Sequence, residues 1–210
     1  MRQLRDQLAK VNELTGNLES RIAHARERAT EDVGNDFSRR VALISESLNS
    51  NAIDIAKALC EEMKAECEFV TQDWDGIIPA LQAGKFDAII ASMSITPERM
   101  EKVDFTNKYY NTPPAIAAPK DTDIAGVTKD DLAGKTVGVQ GSTTHFNYSE
   151  QTYTDSEIRA YPTAQEYQLD LANGRLDAVN DDVSVLQEWL DSPEGECCKL
   201  FGTVTPVAEI

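Results

Sequence analysis

Arg99 is the side chain whose neighbours best equip it for chemistry. Phe86-Asp87-Ala88-Ile89-Ile90 reads as a buried strand. Ser92 and Ser94 follow it, and Thr96, Pro97 and Glu98 then supply an N-cap, a first helical residue and an acidic group for the positive end of the helix dipole. Arg99 therefore falls in the first helical turn. A guanidinium beside unpaired helix N–H groups, with two serine hydroxyls close by, can grip a carboxylate through two parallel hydrogen bonds. The competing reading is a surface arginine paired with Glu98 or Asp104.

Two further places share this setting, because open α/β sheets put their sites where strands end and loops enter helices. Gly141-Ser142-Thr143 follows one predicted strand and Asp181-Asp182 another. Each has a plainer reading: Ser142-Thr143 as an N-cap, and the aspartates as a solvated cap for the next helix. Trp74 offers an aromatic face suited to a guanidinium or ammonium, or simply packs at a surface.

Signatures of catalysis are weak. Gly134-Lys135-Thr136 imitates the end of a phosphate loop, but Lys129 stands where the first glycine is required and a strand follows instead of a helix. The histidines are His24 and His145, and no orienting acid is placed beside His145 by sequence. No catalytic residue, cofactor or metal ligand is expected. The cysteines, Cys60, Cys67, Cys197 and Cys198, lack zinc-site spacing, and adjacent Cys197 and Cys198 do not easily bridge each other.

The 210 residues carry 20 basic and 36 acidic side chains, a net charge of −16, which opposes nucleic acid and anionic membranes as partners. Residues 1–50 hold 8 of each sign, so residues 51–210 hold 12 and 28 and carry the whole excess. No apolar run reaches the roughly 18 to 20 residues that span a bilayer, and the N-terminus has no apolar signal-peptide core.

These sites must be carried by recognisable elements. Leu4, Leu8, Val11, Leu14, Leu18, Ile22 and Ala25 form an amphipathic helical stripe, with a helix partner conceivable for residues 4–25. Gly34-Asn35 is a break. Val41, Ile44, Leu48, Ala52, Ile55, Leu59 and Met63 then predict one helix from about Asp36 to Ala65, the alternative being a strand at Val41 to Ser45. From Glu68 onward strands and helices alternate, with Thr112 to Ala118 extended by its prolines, which predicts a parallel or mixed sheet between helices.

The run WDGIIPALQAGKFDAIIASMSITPERMEKVDFTNKYY, continued in order by VGVQGSTT and RLDAVNDD, resembles the extracytoplasmic solute-binding proteins (family 3) of amino-acid ABC importers. That group includes the lysine/arginine/ornithine-binding proteins, and the resemblance covers about residues 52–210. It implies an α/β, periplasmic-binding-protein-like (type II) fold of two lobes. Residues 51–112 would be a partial lobe one and 113–210 lobe two, preceded by a helical, coiled-coil-like segment 1–50. Lobe one would be incomplete, lacking its first strand and the return beyond Ile210.

The resemblance further implies that Arg99 and Thr143 hold an α-carboxylate from opposite lobes, that Ser92 and Ser94 add hydrogen bonds, that Asp182 takes the α-ammonium, and that Trp74 walls the ligand side chain. Cys60 and Cys67 would form a disulfide, in an oxidising compartment; without the resemblance they read equally as two half-buried thiols. The family's early aromatic has no counterpart, and Ala52, preceded by Asn51, stands where an acidic residue is expected. The implied function is binding of a polar, cationic L-amino acid, delivered to a membrane permease outside the cytoplasm. The alternatives are a truncated or chimeric chain with a folded lobe two and no competent site, and, more remotely, a cyclohexadienyl dehydratase-like enzyme on the same scaffold.

Overall fold

A computed structural model describes residues 38–44, 50–109 and 111–204. The chain divides between Asn111 and Thr112 into two compact units. The amphipathic stripe at 4–25, the Gly34-Asn35 break and the end of the chain at Ile210 lie outside the described residues.

In the first unit, β1 (Ser38–Ile44), β2 (Glu66–Gln72) and β3 (Ala88–Ile89) form a parallel sheet of order β2-β1-β3. Its helices are α1 (Ser50–Met63), α2 (Ile77–Gln82) and the single turn α3 (Pro97–Met100). This overturns the helix predicted over Asp36–Ala65 and the missing first strand of lobe one. Ser38–Ile44 is the central strand, paired from Ser38↔Glu66 to Ile44↔Gln72 on one side and at Val41↔Ala88 and Ala42↔Ile89 on the other. Val41 and Ile44 fit a helical period and a pleated run equally, and the neighbouring strands decide between them by satisfying the backbone along both edges. Val41 and Ala42 are accordingly 4% and 0% exposed. The reading of a chain without a competent lobe one rested partly on that strand, which is present.

Beneath the sheet, Ala42 packs with Ile77, Ala80, Phe86 and Ala91, and Trp74 lies against this core. A disulfide joins Cys60 near the end of α1 to Cys67 in β2, with Cα atoms 6.2 Å apart.

The second unit is a five-stranded mixed sheet of order β6-β5-β7-β4-β8, from β4 (Pro114–Pro119), β5 (Thr136–Gln140), β6 (Glu157–Tyr161), β7 (Ala178–Asp182) and β8 (Cys198–Thr203). β5 runs parallel to β6 and β7, while β4 is antiparallel to β7 and β8. The helices are α4 (Thr144–Thr152), α5 (Ala164–Ala172) and α6 (Val183–Leu190). One core gathers Tyr167, Leu171, Val179 and Leu186, and the other Ile116, Leu132, Val139 and Tyr153, so that both sheet faces are covered. Residues pointing to either face of β4, β5 and β7 are accordingly buried, without an alternation of buried and exposed positions.

Cys197 and Cys198 are bonded to each other, against the expectation drawn from their adjacency. The chain leaves the 3₁₀ turn Pro193–Gly195 immediately before them. Lys120 holds that turn through its ammonium on the Glu196 carbonyl at 2.6 Å and its N–H on the Cys197 carbonyl at 3.0 Å. Turn geometry rather than strand alternation thus sets the direction of the first cysteine. Among the described residues no cysteine is free.

Asp170 on α5 accepts the Tyr161 hydroxyl at 2.7 Å and the Arg175 Nε–H at 2.7 Å, which together hold its carboxyl below the ordinary aspartate range. A depressed folded-state pKa contributes stability above the unfolded value and loses it as pH falls through the folded one. Asp170→Asn is therefore expected to melt below the parent at pH 7, with the two converging as pH drops under the ordinary aspartate value of about 3.9, in thermal unfolding followed against pH. Opening the Cys60–Cys67 disulfide by the double substitution to serine is expected to cost about 2 to 3 kcal/mol, read by urea unfolding.

Candidate functional site

In the first unit the site begins where β3 ends. Thr96, with φ −127° and ψ 152°, caps α3, its hydroxyl accepting the Arg99 N–H at 3.2 Å. Ser92 has φ 51°, a left-handed conformation that a non-glycine residue holds only where its surroundings impose it. Arg99 folds back over this loop: its Nη1 donates to the Ser94 carbonyl at 2.9 Å, and its guanidinium carbon lies 5.4 Å from the centre of the Trp74 ring. Burial lowers its pKa from the ordinary arginine value, and nearby Glu98 opposes that shift. Glu98 itself bonds Lys102 at 3.0 Å. The guanidinium is thus positioned by backbone and aromatic contacts, while Ser92 and Ser94 are exposed at the same loop.

The second unit repeats the device between β5 and α4. Ser142 has φ 57°, and Thr143 is the N-cap, its hydroxyl accepting the Phe146 N–H at 3.0 Å. The same hydroxyl donates to the Gln140 carbonyl at 2.7 Å. A threonine hydroxyl has one proton, so a carboxylate at Thr143 would be met by backbone N–H groups of the helix start.

Asp182 ends β7 and stands at the N-cap of α6, yet its side chain makes no cap hydrogen bond. Instead Oδ1 accepts the Thr112 hydroxyl at 2.6 Å, and Oδ2 lies 3.7 Å from His145 Nε2. The solvated-cap reading of these aspartates is therefore not what the fold shows. Asp181 is 7% exposed; its Oδ1 accepts the Asp182 N–H at 2.6 Å and its Oδ2 a short hydrogen bond from the Tyr167 hydroxyl. Burial pushes its carboxyl above the ordinary aspartate range, partly offset by His145.

Within the first unit the fold brings together Trp74 and Arg99, with Ser94 through its carbonyl. Within the second it sets Thr143 and Asp182 at the ends of neighbouring strands β5 and β7. Sequence reasoning missed Thr112, Tyr167 and the position of His145. Thr112 lies 70 residues from Asp182, and only the pairing of β4 with β7 makes them neighbours. His145 was set aside for want of an adjacent acid, and two are present.

The model of the bacterial extracellular solute-binding proteins, family 3, matches residues 51–192, and this chain belongs to that family. It is 43% identical over 138 residues to ABC transporter arginine-binding protein 1 of Escherichia coli, covering 66% of this chain and 56% of that one. It is 44% identical over 147 residues to the L-arginine-binding protein of Pseudomonas aeruginosa, covering 69% and 56%. An ancestral arginine-binding protein solved with arginine superposes with a TM-score of 0.74 at 32% identity, covering 80% of each chain. The chain spans a little over half the length of the two relatives matched by sequence.

Replacing Tyr167, which is fully buried, with phenylalanine strips Asp181 of a hydrogen bond that solvent cannot replace. Tyr167→Phe is expected to cost about 1 to 3 kcal/mol in urea unfolding.

Proposed function

We propose that this chain is a non-catalytic receptor for an L-amino acid with a cationic side chain, arginine foremost, working outside the cytoplasm and presenting its ligand to an ABC permease. The observation that carries the reading is Asp182: a half-buried carboxylate, oriented by Thr112, with which no lysine or arginine among the described residues ion-pairs. Such a group calls for a cation, and the ammonium of an amino acid is one. Arg99 supplies the complementary charge for the α-carboxylate, its fork set by Ser94 and Trp74. Backbone donors at Thr143 and hydroxyls of Ser92 and Ser94 add neutral hydrogen bonds. A cation-seeking carboxylate and an anion-seeking guanidinium together suit a zwitterion better than a simple acid or amine.

The ligand class is supported by the names of the relatives, which bind arginine. Oxidised cysteines support an extracytoplasmic setting.

Calorimetric titration tests the reading. L-arginine is expected to bind with 1:1 stoichiometry. Arg99→Ala and Asp182→Asn are each expected to weaken it about 10- to 100-fold, the range for losing a hydrogen bond to a charged group. Parent-like affinity in both variants would remove the assignment.

A further inference from the structure

His145, Asp181 and Asp182 form a cluster for which the amino-acid reading accounts only through Asp182. His145 Nε2 lies 3.7 Å from Asp181 Oδ1 and 3.7 Å from Asp182 Oδ2, and the donor atoms of all three residues fall within 4.8 Å of one another. Their side chains are 14%, 11% and 23% exposed, so the cluster is largely withdrawn from water. Among the described residues no lysine or arginine ion-pairs with either aspartate, which leaves two adjacent carboxylates with an imidazole as their only neighbouring basic group.

Groups outside the cluster orient it. The Thr112 hydroxyl holds Asp182 Oδ1 and the Tyr167 hydroxyl holds Asp181 Oδ2, while the Asp182 N–H also bonds Asp181 Oδ1. What remains turned toward Nε2 is one oxygen from each carboxylate. For Asp182 this is the arrangement that steadies a ligand around a metal, the outer oxygen hydrogen-bonded and the inner one facing the ion, while Asp181 Oδ1 faces Nε2 and also keeps the Asp182 N–H.

We propose that His145 Nε2, Asp181 Oδ1 and Asp182 Oδ2 bind a divalent transition ion of the zinc type. Donors each about 2.1 Å from a tetrahedral ion lie about 3.4 Å apart, so small movements of the side chains bring Nε2 and both carboxylates onto a shared ion. An imidazole among the donors favours zinc and its neighbours over magnesium or calcium, which take oxygen alone. Because Asp182 also belongs to the ammonium site proposed above, zinc and amino acid exclude each other there, and that exclusion rests on the proposed function. Metal binding itself does not.

The test uses the full chain, both disulfides oxidised and freed of metal with a chelator, titrated by calorimetry with zinc sulfate alone and separately with L-arginine alone. One zinc per chain is expected, at least about tenfold weaker in His145→Ala and in the milder His145→Gln. Arg99→Ala is expected to weaken arginine binding as above and keep the parent's zinc affinity. Saturating arginine is expected to suppress the zinc titration. A parent without zinc heat, or His145 variants with the parent's zinc affinity, overturns the metal site even if arginine binds. Zinc binding without arginine binding upholds the metal site and overturns the receptor reading instead.

Discussion

A parallel strand can pass the chain into a helix only through a short loop whose backbone polar groups find partners close at hand, and both units rest on that requirement. It is met the same way twice. After β3 and after β5 a serine takes a left-handed conformation, φ 51° at Ser92 and 57° at Ser142, and a threonine hydroxyl then caps the helix. The cap consumes one orphan N–H and leaves the others at the helix start as donors. Recognition chemistry is therefore a by-product of how the chain turns: the loop that satisfies the sheet also exposes the N–H groups and serines that an anion would meet.

Charge is handled differently in the two units. Arg99 is half-buried, and its guanidinium rests on a carbonyl and an aromatic face. Asp181 and Asp182 lie at the end of a central strand, and hydroxyls of Tyr167 and Thr112 hold them without neutralising them. Burying a carboxylate is costly unless hydrogen bonds or a cation compensate, and here hydrogen bonds do part of that. The remainder is an electrostatic demand for a cation, whether an ammonium or a metal. The net charge of −16 has the same sense.

Much of the fold was legible because its signals are local. Thr96-Pro97-Glu98 marks a helix start wherever it occurs, and α3 begins at Pro97. The strand expected before Asp181-Asp182 is present, although it runs through both aspartates instead of ending before them. β1 was not legible. Val41 and Ile44 satisfy two periods, and only the strands on either side of it, drawn from residues 66–72 and 88–89, select the extended one. The vicinal disulfide was hidden for a similar reason, since a turn anchored by Lys120 directs Cys197.

What the sequence by itself determined is the kind of side chain at each junction and the local turns that present it: a guanidinium in a first helical turn, a capping threonine, two aspartates before a helix. Propensity, capping and burial pattern act over a few residues, so one dimension suffices. What only the tertiary structure decided is which distant groups meet these side chains. Thr112 reaches Asp182 across paired strands, Tyr167 reaches Asp181 from the preceding helix α5, and His145 comes to lie 3.7 Å from both carboxylates. Those contacts depend on sheet order, and sheet order is a property of how strands remote in sequence pair, which no local pattern encodes.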